Sequence, residues 1–282
     1  MELATTELRG GGSGTLPGPR PEDESEGTGS ARAQRGKTAW PRISVIVPTL
    51  NEAQNLPHVF AELPQGLHEV IVVDGFSTDG TPEIARSLRP GVKVVEQAKR
   101  GKGDALRCGF EAATGDILVM LDADGSANPA EIPAFVKALT QGADFAKGTR
   151  FHKDGGSSDI TPLRRAGNRL LSGTVNLLFG TSYSDLCYGY NAFWHHCLPA
   201  MSVDCTGFEV ETLINIRIAR AGLDVREVPS FERDRIFGQS NLNTFRDGGR
   251  VLRTILLERL RKMPHIDEEA PTAREVVSAE AA

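Results

Sequence analysis

Three short runs constrain this chain more than any other feature: Ile43-Ser44-Val45-Ile46-Val47-Pro48, Glu69-Val70-Ile71-Val72-Val73-Asp74 and Ile117-Leu118-Val119-Met120-Leu121. Each is too short for a buried helix and too apolar for a strand with one wet face, so each predicts a strand covered on both sides. Val92-Lys93-Val94-Val95-Glu96 predicts another. Between them the spacing turns helical, from Asn55 to about Leu63, from Thr81 to about Leu88, and from Asp104 to Ala113. Thr78-Asp79-Gly80-Thr81-Pro82 supplies a turn, a cap and a first-turn proline, and Thr114-Gly115 closes the last helix. Strands alternating with helices imply an α/β fold, a mostly parallel sheet flanked by helices in a single domain. Ligands of such sheets bind beyond the carboxyl ends of the strands. The candidate site is therefore Pro48 to Glu52, Asp74 to Asp79 and Asp122 to Asp124.

At 282 residues the chain is long enough for one large core. Residues 1–41 are rich in Gly, Pro, Ser, Thr and Glu and predict a disordered tail, because they hold too little apolar surface to order themselves. A catalytic domain is expected over 42–243, an amphipathic helix over 244–263 and a second disordered tail over 264–282. The net charge of -5 argues against a nucleic-acid partner. Cys108, Cys187, Cys197 and Cys205 form no C-x-x-C pair and read as reduced thiols. The first residues lack a basic segment followed by an apolar run, so a cytoplasmic location is expected. No stretch approaches the roughly 20 apolar residues of a membrane span, so any membrane contact is expected to be peripheral.

Asp122-Ala123-Asp124 directly follows a buried strand, which aims two carboxylates out of one sheet edge. A hard divalent cation, Mg²⁺ or Mn²⁺, suits such a pair because it takes oxygen ligands and bridges carboxylates to substrate phosphates. A solvated turn that caps the helix near Ala130 is the plainer reading of the same residues. Asp74 ends a strand at the same edge and suits ligand binding, whereas Asp79 and Thr81 suit capping of the helix that follows. Lys99-Arg100-Gly101-Lys102-Gly103 joins cationic side chains and flexible backbone to a helix N-terminus, a combination suited to a diphosphate. It lacks P-loop spacing, which argues against an ATPase.

Taken together, Val47-Pro48-Thr49-Leu50-Asn51-Glu52, Val73-Asp74 through Thr81, Gly101-Lys102-Gly103, Asp122-Ala123-Asp124 and Gly148-Thr149-Arg150 resemble, in content and order, the family 2 glycosyltransferases of GT-A fold. The branch most similar is that of the polyprenyl-phosphate glycosyltransferases, and the resemblance covers about residues 42–260. It implies a GT-A, Rossmann-like domain and a nucleotide-diphosphate sugar held by Pro48, Asn51, Glu52, Asp74, Lys102, Asp122, Ala123 and Asp124. By the same resemblance Asp122 and Asp124 hold Mg²⁺ or Mn²⁺, and Asp124, Asp185 and Arg235 are the catalytic candidates. Arg150, Arg164, Arg165, Arg235 and Ser240 are the candidates for an acceptor phosphate. Ser184-Asp185-Leu186-Cys187-Tyr188-Gly189-Tyr190 is similar to the family's S-D-x-x-x-G-[FY] segment, and Arg235-Ile236-Phe237-Gly238-Gln239-Ser240-Asn241 to its R-x-x-G-x-S-[KN] motif. Asp74-Gly75-Phe76-Ser77 stands where Asp-Asp-Gly-Ser is common, Asn241 stands where lysine is frequent, and the membrane-spanning helices of many relatives are not seen.

The resemblance implies inverting transfer of a hexose, from a donor of the GDP-mannose or UDP-glucose type, to a polyprenyl phosphate. A phosphate monoester, with a second pKa of about 6, needs no protein base. A hydroxyl acceptor would need one, with Asp185 leading and Glu209 and Glu211 behind it. A nucleotidyltransferase and a nucleotide-sugar-binding module are the remaining readings. Arg164, Arg165 and Asn168 are expected to precede an amphipathic helix, and Gly207 to Glu211 to open another. Between Phe245 and Met263, Phe245, Leu252, Ile255, Leu256, Leu260 and Met263 recur at helical spacing among arginines. Such a helix would pack on the catalytic domain or lie on an anionic membrane. A membrane-bound partner subunit and the oligomeric state stay open.

Overall fold

A computed structural model describes residues 40–239 and 243–261. In chain order the elements are β1 (Ile43–Thr49), α1 (Leu56–Ala61), β2 (Glu69–Asp74), α2 (Thr81–Leu88), β3 (Lys93–Glu96), α3 (Lys102–Ala112), β4 (Ile117–Met120), α4 (Ile132–Thr140), β5 (Phe145–Thr149) and β6 (Gly156–Ser157). They continue with α5 (Pro162–Phe179), β7 (Asn191–Trp194), α6 (Leu198–Met201), α7 (Val210–Arg220), β8 (Val225–Pro229), β9 (Phe231–Glu232) and α8 (Thr244–Leu260). A seven-stranded sheet runs β3-β2-β1-β4-β7-β5-β8, and β6 pairs with β9 apart from it. All neighbours in the large sheet are parallel except β7, which is antiparallel to β4 and β5. This is the mostly parallel, helix-flanked sheet that the alternating pattern predicts.

Alternate residues of the strands feed two cores, as the two-residue period requires. Val45, Val47, Val70, Val72 and Val119 pack with Leu56, Phe135 and Leu139 on one face. Ile46, Ile71, Val73, Leu118 and Met120 pack with Leu106, Phe110 and Ile214 on the other. A third cluster of Val175, Leu186, Ile216, Val251 and Ile255 ties α5, α7 and α8 together.

The helices start where local chemistry permits. α3 begins at Lys102, earlier than the expected Asp104, because the buried Asp104 carboxylate accepts the Lys99 amide at 2.6 Å and closes the first turn. Thr161 caps α5 through the Arg164 amide at 3.3 Å and Pro162 occupies its first turn. Arg164, Arg165 and Asn168 therefore lie inside this helix, not before it as the sequence pattern suggests. α8 runs unbroken through Gly248-Gly249. Its inward face is Asp247, Val251, Ile255 and Glu258, while Phe245, Leu252, Leu256 and Leu260 are exposed. Of the expected apolar stripe only Ile255 packs inward, and Met263 lies outside the described residues. All four cysteines are free.

α3 delivers Lys102 to the carboxyl edge of the sheet, and its distance from the sheet is set by Gly109. A Cβ there would overlap an Ile46 methyl and stand 3.1 Å from Val73 Cγ2. Gly109→Val is expected to cost about 1–3 kcal/mol through overpacking. A denaturant melt of the variant checks the loss.

Candidate active site

β4 carries Asp122 and Asp124 to the floor of a cavity of about 660 Å³ at the carboxyl edge of the sheet. Each carboxylate faces a cation. Lys102 Nζ stands 2.7 Å from Asp122 Oδ1 and 2.7 Å from Glu211 Oε1, so the first turn of α3 bridges β4 to α7. Burial alone would lower the Lys102 pKa, but Asp122 and Glu211 outweigh it and hold the ammonium charged. Gly189 makes room for this triad: a Cβ there would stand 3.0 Å from Lys102 Nζ and 3.1 Å from Glu211 Oε1.

Arg235 does the same for the second aspartate. Its Nη2 lies 3.1 Å from Asp124 Oδ2, and its Nη1 lies 3.0 Å from Glu52 Oε1. Asn55 donates to Glu52 Oε2 at 2.5 Å and accepts the Phe237 amide at 2.9 Å, which fastens the Arg235 segment to the loop after β1. Burial raises the pKa of Glu52 despite Asn55 and Arg235.

One end of the cavity is walled by Pro48, Thr49, Leu50, Gly75, Gln97 and Arg100. Asn51 and Asp74 lie off this wall and shape it instead. Asn51, at a φ of 58°, accepts the Thr78 amide at 2.8 Å, and Asp74 accepts the Ser77 amide at 2.9 Å. Asp79 accepts the Thr81 hydroxyl at 2.5 Å and the Ala53 amide at 3.0 Å, stitching the two strand-end loops together.

At the other end the cavity passes Arg164, Gly167, Asn168 and Leu171 of α5 and Gly248 and Val251 of α8. Asn168 accepts the Cys187 amide at 3.0 Å, while its buried Nδ2 has no partner among the described residues. Arg150 and Asp185, expected as an acceptor-phosphate candidate and a catalytic candidate, pair with each other. Asp185 is fully buried and takes Arg150 Nε at 2.7 Å and Nη2 at 2.9 Å, and the remaining Arg150 Nη1 meets Glu232 at 3.0 Å. Every guanidinium nitrogen of Arg150 is thus engaged by a carboxylate, although Arg150 itself lines the cavity. Burial would raise the Asp185 pKa, but Arg150 and Lys147 hold it below the usual carboxylate range, in a position off the cavity wall. Arg165 is exposed, over the Phe151 ring at 5.4 Å, and also lies off the cavity wall. Ser240 lies outside the described residues.

The family model described as glycosyl transferase family 2 matches residues 44–204. The chain belongs to glycosyltransferase family 2. It is 33% identical over 210 residues to glycosyltransferase AglJ of Haloferax volcanii, covering 73% of this chain and 68% of that one. It is 33% identical to the dolichyl-phosphate hexose transferase of the same organism, covering 78% and 96%, and 33% identical to the dolichol-phosphate mannosyltransferase of Pyrococcus furiosus, covering 71% and 59%. Among solved structures, glucosyl-3-phosphoglycerate synthase from Mycobacterium tuberculosis with Mn²⁺, UDP-glucose and glycerol 3-phosphate matches with a TM-score of 0.63 at 26% identity, covering 80% of this chain and 82% of that one. The architecture is the GT-A fold of nucleotide-sugar glycosyltransferases.

In this glycosyltransferase several wall residues carry no motif of their own. Glu232, Gln97 and Asp234 join the cavity through loops and a two-residue strand, and only the spacing of Glu232 three residues before Arg235 hints at them. The Arg150–Asp185 pair yields a sharp expectation. Removing one partner of a buried ion pair costs ~3–5 kcal/mol, so Asp185→Asn should lower the thermal midpoint by many degrees. The contribution of Asp185 is present above its unfolded-state pKa and lost as pH falls through its depressed folded value, so the gap between wild type and variant should narrow in acid. Calorimetry at neutral and acid pH checks both.

Proposed function

We propose that this glycosyltransferase moves a hexose, with inversion, from a nucleoside-diphosphate sugar of the GDP-mannose or UDP-glucose type to a polyprenyl phosphate. The observation that carries the acceptor is the pairing of the carboxylates. Asp185 is bound by Arg150, Glu211 by Lys102, and Glu209 lies off the cavity wall. None of these three is placed to act as the base for a hydroxyl acceptor, whereas a phosphate monoester, already largely dianionic above its second pKa of about 6, needs no base. Two of the three 33%-identical relatives, by their names, support the same acceptor.

In this reading Arg164, Asn168 and Arg235 receive the acceptor phosphate. Asn168 Nδ2 is a buried donor with no acceptor among the described residues. Pro48, Glu52 and the wall beside Gln97 hold the nucleoside, and Lys102 faces the departing diphosphate. Among the described residues no three metal-ligating side chains cluster. Two carboxylates on the cavity floor nevertheless fit Mg²⁺ or Mn²⁺, ions that fill their remaining positions with phosphate oxygens and water. Such an ion, when bound, neutralises charge that builds on the leaving diphosphate.

The lipid end is served by the outer surface of α5 and α8. Leu163, Leu170 and Leu177 are exposed on α5, and Phe245, Leu252, Leu256 and Leu260 on α8, with Arg246, Arg253 and Arg259 beside them. No helix among the described residues is long and apolar enough to cross a membrane. Peripheral contact with the anionic cytoplasmic face suits this mixture of leucine and arginine.

One observation favours a second reading in which the acceptor is a small phosphorylated hydroxyl compound. Asp234 is exposed and on the cavity wall, where it would serve as the base. The two readings separate in a single assay with Mn²⁺ or Mg²⁺, a panel of GDP- and UDP-sugars, and either a short-chain polyprenyl phosphate or a phosphorylated alcohol. Glycolipid formation is expected, reduced roughly 10²–10³-fold in Asp124→Ala. Arg164→Ala should raise the lipid KM about 10–100-fold, the loss of one charge-assisted hydrogen bond. Transfer to the alcohol alone, abolished in Asp234→Asn, overturns the lipid acceptor.

A further inference from the structure

Gly101-Lys102-Gly103 reads as a flexible phosphate-binding turn, yet its glycines are pressed against protein backbone. A Cβ on Gly101 would overlap the Thr206 carbonyl oxygen, and a Cβ on Gly103 would overlap that of Cys205. The Gly103 amide, in the first turn of α3, donates to Thr206 O at 3.0 Å. The Asp104 carboxylate is buried in the same turn, where it accepts the Lys99 amide at 2.6 Å. A protein carbonyl and a protein carboxylate therefore meet the positive end of α3, and recognition of an anion falls to the Lys102 side chain. Where that side chain stands depends on where Cys205 and Thr206 stand.

These two residues lie in the loop between α6 and α7, and Arg217 of α7 grips the start of that loop. The buried guanidinium donates through Nη1 to the carbonyls of Met201, at 3.1 Å, and Ser202, and through Nη2 to Asp204 Oδ1 at 2.9 Å. Ser202 ends α6 in the left-handed region, at a φ of 38°, a conformation that a residue other than glycine keeps only where its surroundings hold it. A second helix fixes the guanidinium itself. Glu258 of α8 takes Nη2 at 2.8 Å, with Arg261 at 3.2 Å and Arg220 at 3.5 Å from the same carboxylate. Arg217 lies off the cavity wall, so it reaches a ligand only through the backbone it holds.

We propose that Arg217 is a positioning residue for the donor: by fixing the backbone from Met201 to Asp204 it sets the seat on which Gly101 and Gly103 dock, and so the point at which Lys102 meets the nucleoside diphosphate. This rests on the reading of Lys102 as the group that faces the diphosphate. Lys102 Nζ ends the series of contacts, 2.7 Å from Asp122 and 2.7 Å from Glu211. Because α7 also carries Glu211, one helix holds both the carboxylate that Lys102 meets and the arginine that sets its approach.

The test reads the donor and acceptor sides separately. UDP and GDP are titrated calorimetrically with Mn²⁺ into wild type, Arg217→Met, Arg217→Lys, Gly103→Ala, the Arg217→Met/Gly103→Ala double variant and Lys102→Ala, and turnover gives the KM of a short-chain polyprenyl phosphate. Near-ultraviolet circular dichroism establishes that each protein is folded at the assay temperature. Arg217→Met is expected to weaken diphosphate binding about tenfold and to leave the acceptor KM within about twofold. Gly103→Ala, which presses on the same contact from the α3 side, should give the same split, and the double variant should be little worse than either alone because both act through one contact. Arg217→Lys keeps the charge without the two-pronged grip and should recover part of the loss. Exchange of the Gly103 amide, followed by NMR, should quicken at least about tenfold in Arg217→Met. If Arg217→Met does not fold, Asp204→Asn, at a half-exposed carboxylate, takes its place with the same split expected on a smaller scale. A folded variant that binds the diphosphate as wild type does overturns the proposal, as do losses that add in full in the double variant or that fall equally on donor and acceptor. Should Lys102→Ala bind diphosphates as tightly as wild type, the reading of Lys102 fails on its own, and Gly103 exchange decides the hold of Arg217: quickened exchange sustains it and unchanged exchange ends it.

Discussion

Asp122 and Asp124 stand two positions apart at the end of a buried strand, and no fold can leave two carboxylates together on a cavity floor without compensating charge. Much of the remaining site follows from how that charge is met. Lys102 is delivered by α3, whose close seat on the sheet depends on Gly109 and whose first turn is closed by Asp104. Arg235 is delivered by the segment after β9, tied to the loop after β1 through Asn55 and Glu52. One cation is anchored on a packed helix and the other on a loop.

A second charge cluster lies beside the cavity and has a different character. Arg150 joins Asp185 to Glu232, Ser157 donates to Glu232 at 2.5 Å, and the Tyr188 ring lies 4.9 Å from the guanidinium. Lys147, fully buried on β5, donates to the carbonyls of Gly148 and Tyr188, and burial lowers its pKa. Such a network fixes the loop that carries Tyr188 and Gly189 beneath the Lys102 triad. Its residues resemble catalytic groups in the sequence because buried charge is rare in either role. They are told apart only by whether a partner already satisfies them.

β1, β2 and β4 were legible because both faces of each strand are covered, which leaves a nearly uninterrupted apolar run. β5, β7 and β8 were not. β5 reads Phe-Ala-Lys-Gly-Thr, with a lysine in mid-strand whose burial depends on distant carbonyls and carboxylates. β7 has four residues, and β8 alternates as an edge strand does, Val-Arg-Glu-Val-Pro, with an arginine exposed to water. The site divides along the same line. Residues at strand ends, Pro48, Asp122 and Asp124, announce themselves because the strand before them is plain. Glu232, Gln97 and Asp234 reach the cavity from short or irregular stretches, where neighbours in sequence say little about neighbours in space.

The amino-acid sequence by itself determined the alternation of strand and helix, the carboxyl edge at which chemistry gathers and the motifs that mark the family, because these are properties of consecutive residues. Only the tertiary structure decided which charges are free. Asp185 and Arg150 satisfy each other in the interior, Lys102 is bound to Asp122 and Glu211, and Arg235 is shared between Glu52 and Asp124. An ionisable group acquires its role from the charges within a few ångströms of it, and those distances are set by packing between elements far apart in the chain.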